Sequence, residues 1–515
     1  MRERLPASRE KGHAMTWIQR PPLLAVLALL LPSVGLAATP KKDAPEGHEA
    51  LESVDEAEER GLRAVETRDQ SPSPLVVLDG GTVMTADGEV FAPGYVVLSE
   101  GIIQQVGQGP APSVEGAQVL DVKGQFVTPG LIDTHSHLGV YSAPSARAHS
   151  DGNEATAATT PGVWAEHAFS PQDPGIQRAV AGGVTAMQVL PGSANLIGGR
   201  GVVLSMVPHR GSRAMRFPDA PETIKMACGE NPKRVYGGRG TAPSTRMGNL
   251  RGTRAAFLKA ERLLARLEAH AEAGGKKKKG KKKKGKKNRV AAGDVDSGGA
   301  AWNRDKDAPD RDLNLETLVG VLRGEILPQV HCYRAYDMLA MMQLADEFDF
   351  RIRSFHHALD AYKIRDVLAE HEVASSTWAD WWGFKVEAYD GIPENAALLT
   401  EAGARAIIHS DSARGIQRLN QEAGKAYYSG LAAGIDLTED DALAWITKHP
   451  AWALGIDGAT GTLAPDKRAD VVVWDGHPFS VYTRARLVFI EGVLRYDVDR
   501  PQTWSDFAVG QEVTP

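Results

Sequence analysis

The middle of this 515-residue chain alternates between strand-like and helix-like patterns, and this alternation constrains the fold most. Strand-like runs include "GVTAMQVL", "IKMAC", "ILPQVHC", "FRIRSF" and "ARAIIHSD". Helical patterns such as "RAYDMLAMMQLADEF", with apolar residues three and four apart, separate them. Alternation of this kind predicts parallel strands joined by crossover helices, in a closed barrel or a doubly wound sheet. No glycine-rich dinucleotide fingerprint follows the first strand, which favours an α/β fold with a (β/α)8 TIM-type barrel over residues 129–456.

The two segments that flank the barrel have a different pattern. Residues 74–128 and 457–500 contain short β-rich runs separated by glycine and aspartate turns, as in "PLVVLDGG" and "ADVVVWDGHPF". We predict that they pair into one small β-sandwich domain, with the barrel inserted between them.

The N-terminal residues are typical of a targeting sequence. Arg20 precedes "PPLLAVLALLLPSVGLA", which ends in small residues, so residues 1–37 are predicted to be a signal peptide, with Met15 as an alternative start. An uncleaved anchor is the alternative. Residues 38–73 are charged and poor in large apolar groups, which predicts a flexible leader. We therefore expect an exported protein, periplasmic or secreted, without a stable membrane span after processing.

A lysine-rich segment interrupts the barrel. Ten lysines and two glycines occupy residues 276–287, so residues 274–300 are predicted to be a disordered insertion. The run is either a tether to an anionic surface or a tolerated surface loop. The formal net charge is −6 although these lysines are included, so the rest of the chain is acidic. We expect a small-molecule substrate and no nucleic-acid partner, and a homo-oligomer is left open.

Histidine and aspartate side chains follow several of the predicted strands. In "VTPGLIDTHSHLGV", His135 and His137 are two residues apart, so in a strand both point to one face. Two converging imidazoles form half of a zinc site, although a pair of surface histidines is the simpler alternative. His331, His357 and Asp411 end three further strand-like runs. Barrel enzymes place their catalytic groups at this end of the strands.

The sequence resembles the amidohydrolase superfamily of metal-dependent barrel hydrolases, in the branch of imidazolonepropionase-like and prolidase-like enzymes. The resemblance extends over residues 74–500 and rests on the stretches "VTPGLIDTHSHLG", "PGSANLIGGRGVV", "IKMACGENPKRVYG", "HHALDAYKI", "DWWGFKVEAYDGIPENAALL", "HSDSARGIQRLNQEAGKA" and "GTLAPDKRADVVVWDGHPF".

The resemblance implies a ligand set for one or two divalent metal ions, with Zn²⁺ expected. The implied ligands are His135, His137, His331, His357 and Asp411, and Asp411 is also the implied general base. The bridging ligand is left open between Lys225, which would have to be carboxylated, and Glu230. An odd separation places these two on opposite faces of a continuous strand, so one of them reaches the metal unless the strand ends between them.

The alternation of side chains along a strand also separates neighbouring residues. His357 is chosen over His356 because it fits the family pattern, and His356 is expected in the second shell or the core. His409 shares a face with Asp411 and either orients it or packs in the barrel. Cys228 and Cys332 are interpreted as buried apolar fillers, with a disulfide between them as the alternative.

These observations predict a hydrolase that cleaves an amide or cyclic amide C–N bond, with Asp411 as general base. A dipeptidase of the same superfamily is one alternative. An inactive metal-binding scaffold that binds an anionic partner through the lysine run is another. Trp381, Trp382 and Lys385 are candidates for the substrate pocket, although core packing of the tryptophans and solvation of the lysine are simpler explanations.

Overall fold

The computed structural model describes residues 73–207, 209–280 and 309–500. The predicted signal peptide and residues 38–72 of the predicted leader lie outside this range. Within the range, no helix combines the length and the apolar character needed to cross a membrane. The strands of the described residues are β1 Val76–Met84, β2 Val90–Ser99, β3 Ile102–Gln108, β4 Gln118–Asp121, β5 Phe126–Pro129, β6 Leu131–Ser136, β7 Val184–Val189, β8 Ile197–Ser205, β9 Glu222–Ala227, β10 Ile326–Cys332, β11 Ser354–His357, β12 Ala374–Thr377, β13 Ala406–Ile408, β14 Val471–Trp474, β15 Ala485–Ile490 and β16 Val493–Asp497.

Eight strands, β6 to β13, form a barrel-like sheet in chain order. Every residue of β6 and β7 is buried, as expected for strands covered on both faces. The seam between the last and first strands is bridged where the backbone N–H of Asp411 donates to the carbonyl of His135 at 2.9 Å. The sheet has the TIM-like arrangement that the strand–helix alternation predicts.

One strand departs from the predicted all-parallel barrel. Strand β8 runs antiparallel to both of its neighbours, β7 and β9, whereas the other neighbouring strands in the sheet pair in parallel. The short link from β7 to β8 contains no crossover helix, and antiparallel neighbours need none.

The helices lie between the barrel strands and after them. In the described residues they are α1 Pro174–Ala181, α2 Ser212–Met215, α3 Glu230–Gly237, α4 Arg246–Gly280, α5 Leu313–Leu322, α6 Ala335–Glu347, α7 Arg365–Glu370, α8 Asn395–Glu401, α9 Leu419–Ala432, α10 Glu439–Ala444 and α11 Lys448–Leu454, with 3-10 turns at Arg147–His149, Ala165–Ala168, Ala361–Ile364, Val386–Ala388 and Gly415–Arg418.

Helix α4 corrects the start of the predicted insertion. It continues to Gly280, whereas the disordered segment was expected to begin at residue 274. A charged run that directly follows a helix can extend it, because lysine is a good helix former. Residues 281–300, which include the rest of the lysine run, lie outside the described residues.

The flanks of the chain share a second eight-stranded sheet. Its order is β16-β15-β14-β5-β1-β2-β3, and β4 pairs with β1. Strand β14 from the C-terminal flank pairs antiparallel with β5 from the N-terminal flank. The strands of the two flanks belong to one hydrogen-bonded sheet around its own apolar core, and its arrangement as a sandwich stays a prediction.

Candidate metal centre

Asp411 lies at the centre of the histidines that end the barrel strands. Its Oδ1 is 3.3 Å from Nε2 of His137 and 3.7 Å from Nε2 of His135. Its Oδ2 is 3.9 Å from Nδ1 of His357. The two histidines of the HxH pair therefore converge on one carboxylate, as side chains two residues apart on a strand can.

A buried relay of hydrogen bonds fixes the tautomer of His135. Gln329 donates its Nε2–H to the carbonyl of Ala453, at 3.1 Å, so its Oε1 accepts from Nε2 of His356, at 2.8 Å. The Nδ1 atoms of His356 and His135 are 3.0 Å apart. Since His356 carries its proton on Nε2, its Nδ1 accepts from Nδ1–H of His135. Nε2 of His135 then keeps its lone pair, 3.0 Å from Nζ of Lys225.

His137 is oriented in a similar way by the backbone. Its Nδ1 lies 2.8 Å from the carbonyl of Leu190 and donates to it, which leaves Nε2 directed at Asp411. Burial raises the pKa of Asp411, but the hydrogen bond and positive charge of His137 outweigh it and lower the pKa overall. The carboxylate is therefore ionised at neutral pH. A proton on Nε2 of His137 and a metal ion would compete for the same position.

Several buried ring nitrogens in the cluster have no hydrogen-bond partner. They are both nitrogens of His331 and Nδ1 of His357 and of His409. Burial of an unpaired polar atom is costly, so such atoms call for an explanation. Burial also lowers the pKa of His331 and His357 well below the ordinary value, which keeps them neutral. Neutral imidazole is the form that binds metal, so this donor set fits a divalent cation.

His356 and His357 both flank His135, but both ring nitrogens of His356 are used in the relay, whereas Nδ1 of His357 faces Asp411. Their rings both lie 4.8 Å from the ring of His135. Strand β11 ends at His357, where φ is +71°, so the alternation of faces no longer holds. Asp411 has φ of +48°. Backbone conformations of this kind are costly for non-glycine residues and cluster at functional sites.

Lys225 lies inside the cluster, and Glu230 lies at its edge. Strand β9 ends at Ala227, between the two residues, and Glu230 begins helix α3. Nζ of Lys225 contacts His135 and donates to the carbonyl of Pro191 at 3.3 Å. Burial lowers its pKa to about 7, so part of the population is a neutral amine at neutral pH. Glu230 instead lies 3.9 Å from Nζ of Lys385.

His409 supports the chain around His357. Its Nε2 accepts the backbone N–H of His357 at 3.2 Å, and burial lowers its pKa to about 3. His409 also belongs, with His135 and His356, to a second group of nitrogens close enough to share an ion. The structure thus places His409 among the histidines of the cluster.

A disulfide replaces the expectation that the two cysteines are apolar fillers. Cys228, just beyond strand β9, and Cys332, at the end of strand β10, are bonded to each other, and both are buried. The two strands are paired neighbours, and their cysteine Cα atoms are 5.3 Å apart, which is within the usual range for a disulfide. Cys332 directly follows His331, and Cys228 lies three residues after Lys225, so the disulfide adjoins both candidate ligands in the sequence.

An aromatic loop follows strand β12 at the same end of the barrel. Trp378 stacks on His357 with ring centroids 4.6 Å apart, and Trp381 stacks on Trp378 at 5.3 Å. Trp381 and Trp382 are exposed, so core packing does not account for either of them. Lys385 lies on the ring of Tyr333.

Two residues of the site, one in strand β10 and one just after it, were not identified from the sequence. Gln329 supports the histidine relay, and Tyr333 stacks on His357 with centroids 5.1 Å apart. Both are two residues from His331, so the same-face rule that identified the HxH pair could have identified them.

Comparisons with known proteins place the chain in a family. A sequence profile described as "Amidohydrolase family" matches residues 354–496. A crystal structure of an amidohydrolase from Thermotoga maritima MSB8 is 33% identical, with a TM-score of 0.68, and the match covers 82% of this chain and 100% of that one.

Two curated relatives are similar over smaller shares of their own length. Amidohydrolase tasK of Hapsidospora irregularis is 35% identical over 420 residues, which is 78% of this chain but 40% of the relative. Imidazolonepropionase of Treponema denticola is 42% identical over 48 residues, or 9% of this chain and 12% of the relative. The chain thus spans less than half of the length of these relatives. The identity and coverage of the Thermotoga maritima structure show that the chain belongs to the amidohydrolase superfamily.

Proposed function

We propose that this protein is a metal-dependent hydrolase that cleaves an amide or cyclic amide C–N bond. The observation that carries the proposal is the cluster of histidines around the ionised carboxylate of Asp411, in which four buried ring nitrogens lack a hydrogen-bond partner. Membership of the amidohydrolase superfamily supports the same conclusion.

The proposed metal ligands are the residues of this cluster. Histidine and carboxylate donors suit Zn²⁺, and we propose one or two such ions. A bound divalent cation supplies Lewis acidity, which polarises a carbonyl and lowers the pKa of water. The partly neutral amine of Lys225 supports its role as a carboxylated bridging ligand, since only a neutral amine can react with carbon dioxide. The proposed ligands are His135, His137, Lys225, His331, His357 and Asp411.

Asp411 is the proposed general base. An Oδ atom takes a proton from the attacking water and delivers it to the nitrogen of the leaving amine. Its lowered pKa keeps it ready to accept that proton at neutral pH. The relay through His356 and Gln329 holds the ring of His135 beside it, and the carbonyl of Leu190 holds His137.

The test is the variant Asp411→Asn, which keeps the size of the side chain and removes its charge. Turnover should fall by about 10²- to 10⁴-fold, the usual contribution of a general acid–base group. Metal content should fall only in part, because the other ligands remain. Asp87→Asn is a matched control, since Asp87 pairs with Lys448 on an exposed surface. Near-normal turnover with full metal content and a native circular dichroism spectrum would place the base elsewhere.

Removal of metal is the complementary test of the metallohydrolase. Exhaustive chelation should abolish turnover, and Zn²⁺, Mn²⁺ or Co²⁺ should restore it. Undiminished turnover in the metal-free protein would contradict the proposal. A full complement of metal without turnover of any amide would favour the inactive scaffold.

We also propose that the protein is exported, to the periplasm or the medium. The N-terminal pattern supports this, and so does the buried disulfide, because structural disulfides persist in oxidising compartments. The mature chain recovered from the exported fraction should begin near Ala38. A chain recovered only from the reducing cytoplasm would contradict export.

A further inference from the structure

Lys385 and the candidate metal ligand His357 both contact the ring of Tyr333. Its Nζ lies 3.8 Å from the centroid of Tyr333, and the Tyr333 ring stacks on His357 at an angle of 16°. The ammonium is also close enough to His331 to lower the pKa of that histidine, after the larger effect of burial. Lys385 therefore lies beside the reaction centre, not on the outer surface.

The ammonium of Lys385 has donors to spare. A lysine ammonium carries three N–H donors. One of them donates to Oδ1 of Asn231 at 3.2 Å, and Nδ2 of Asn231 is held by Ser193 at 2.8 Å. The nearest carboxylates, Glu230 and Glu387, lie at 3.9 and 3.8 Å, beyond hydrogen-bond distance.

Charges of both signs surround Lys385, but neither neighbouring carboxylate occupies a hydrogen-bond position on its ammonium. Oε1 of Glu387 is hydrogen-bonded to Arg246, which also binds Asp337 at 2.9 Å, and Oε2 of Glu387 is the atom that lies 3.8 Å from Nζ of Lys385. Burial lowers the pKa of Lys385, the charges of Glu230 and Glu387 raise it, and the nearby positive charge of Arg234 lowers it. The side chain of Lys385 is 16% exposed, so a carboxylate can reach it from a partly desolvated position.

Exposed aromatic side chains surround the same position. Phe384 contacts Tyr333 and Trp378 edge-on, at 6.3 and 6.2 Å between ring centroids, and is 58% exposed. Trp381 and Trp382 are 38% and 46% exposed. Large exposed aromatic residues beside a reaction centre are suited to an apolar group of a ligand.

We propose that Lys385 binds a carboxylate on the carbon next to the scissile nitrogen, and that the aromatic loop contacts the apolar side chain on that carbon. The substrates are then N-acyl amino acids or dipeptides with an apolar C-terminal residue. The inference rests on the proposed hydrolase and deepens it. Because Lys385 and His357 contact the same ring, the bound carboxylate lies within a few bonds of the scissile amide.

A pair of probes that differ only in the carboxylate tests this inference. N-acetyl-L-phenylalanine carries the carboxylate, and N-acetyl-2-phenylethylamine has hydrogen in its place. The metal-loaded wild type should favour the first probe in kcat/KM, chiefly through KM. Lys385→Met should reduce this preference by about tenfold to a hundredfold, the usual worth of a hydrogen bond to a charged group. Lys385→Arg should restore part of it.

The ratio between the probes separates recognition from structural damage. A variant that merely loosens the contacts of Lys385 with Asn231 would slow both probes alike. Lys448→Met is the control, because Lys448 is an exposed lysine that pairs with Asp87. Equal use of both probes by the wild type, or an unchanged preference in Lys385→Met, would overturn the role of Lys385 and leave the hydrolase intact. No turnover of either probe, or of glycyl-L-phenylalanine, would instead count against the proposed hydrolysis of linear amides, and the inference would fail with it.

Discussion

At the residue scale, the chemistry of the cluster depends on side chains that touch no proposed substrate. His135 presents a lone pair on Nε2 because its Nδ1–H donates to Nδ1 of His356, and that atom can accept because Nε2–H of His356 donates to Oε1 of Gln329. The direction of the hydrogen bonds in this relay is fixed at its far end, where Nε2–H of Gln329 donates to the backbone carbonyl of Ala453, which can only accept. Partners of this type orient the histidine ligands of metal sites.

Replacement of Gln329 by methionine should therefore weaken metal binding. The variant Gln329→Met removes the acceptor for His356, so the tautomer of His135 is no longer fixed. Zn²⁺ affinity, measured by competition with a chelator, should fall by about tenfold to a hundredfold. Gln188→Met is the control, because Gln188 is equally buried in the barrel but bonds to Thr223. Equal affinities in the two variants would show that the relay does not position His135.

The buried amine of Lys225 predicts how stability depends on pH. In the metal-free folded protein its pKa is about 7, against 10.5 for the ordinary group. Between these values the unfolded chain binds a proton that the folded chain lacks, so stability rises with pH. One such proton contributes about 1.4 kcal/mol per pH unit. This contribution is absent below pH 7, where both states are protonated.

Urea denaturation of the metal-free protein at pH 7 and pH 9, in buffer free of carbon dioxide, measures this contribution. Lys225→Met lacks the titrating group, so its stability should fall relative to the wild type as the pH rises. Parallel pH curves for the two proteins would show that the amine of Lys225 is not buried as an uncharged group.

At the scale of elements, sequence periodicity predicted the positions of strands and helices along the chain better than the direction in which a strand pairs with its neighbours. The five strand-like runs each overlap a barrel strand, and the helical pattern after His331 corresponds to helix α6. The direction of β8 was missed because alternation in a single strand carries no information about its partners. The choice of His357 over His356 as a ligand remains a prediction, and the hydrogen bonds of His356 to His135 and Gln329 are consistent with it.

The disulfide joins two elements that each carry part of the cluster. It closes a loop across a sequence separation of 104 residues, which includes helices α3, α4 and α5. A cross-link of this kind typically contributes about 2–4 kcal/mol. The double variant Cys228→Ser/Cys332→Ser should lower the thermal midpoint and retain metal less well. A reducing agent should lower the midpoint of the wild type and leave the double variant unaffected. Equal sensitivity of both proteins would mean that the disulfide does not support the site.

At the scale of the whole molecule, the two segments that flank the barrel together form one sheet. The similarity in composition of the two flanks predicted their pairing, but not that all of their strands would form one sheet, since composition does not specify strand order. In strand β14, Val472 lies opposite Thr128 of β5, and Nε1 of Trp474 donates to the hydroxyl of Thr128 at 2.9 Å. Arg468 bonds to Asp470 beside it and to Ser205 of barrel strand β8.

Truncation after residue 456 should therefore prevent stable folding, although every proposed metal ligand remains. Strand β5 would lose β14, one of its two partners, and expose an unpaired edge, which favours aggregation. The apolar core shared by the flanks would lose Val471, Val473 and Phe489, all of which are buried. Truncation after residue 500 is the control, because every described strand of this sheet ends before that residue. The measurements are the soluble yield and the cooperativity of thermal unfolding by circular dichroism. A soluble, cooperatively folding chain that ends at residue 456 would show that the barrel folds without its flanking sheet.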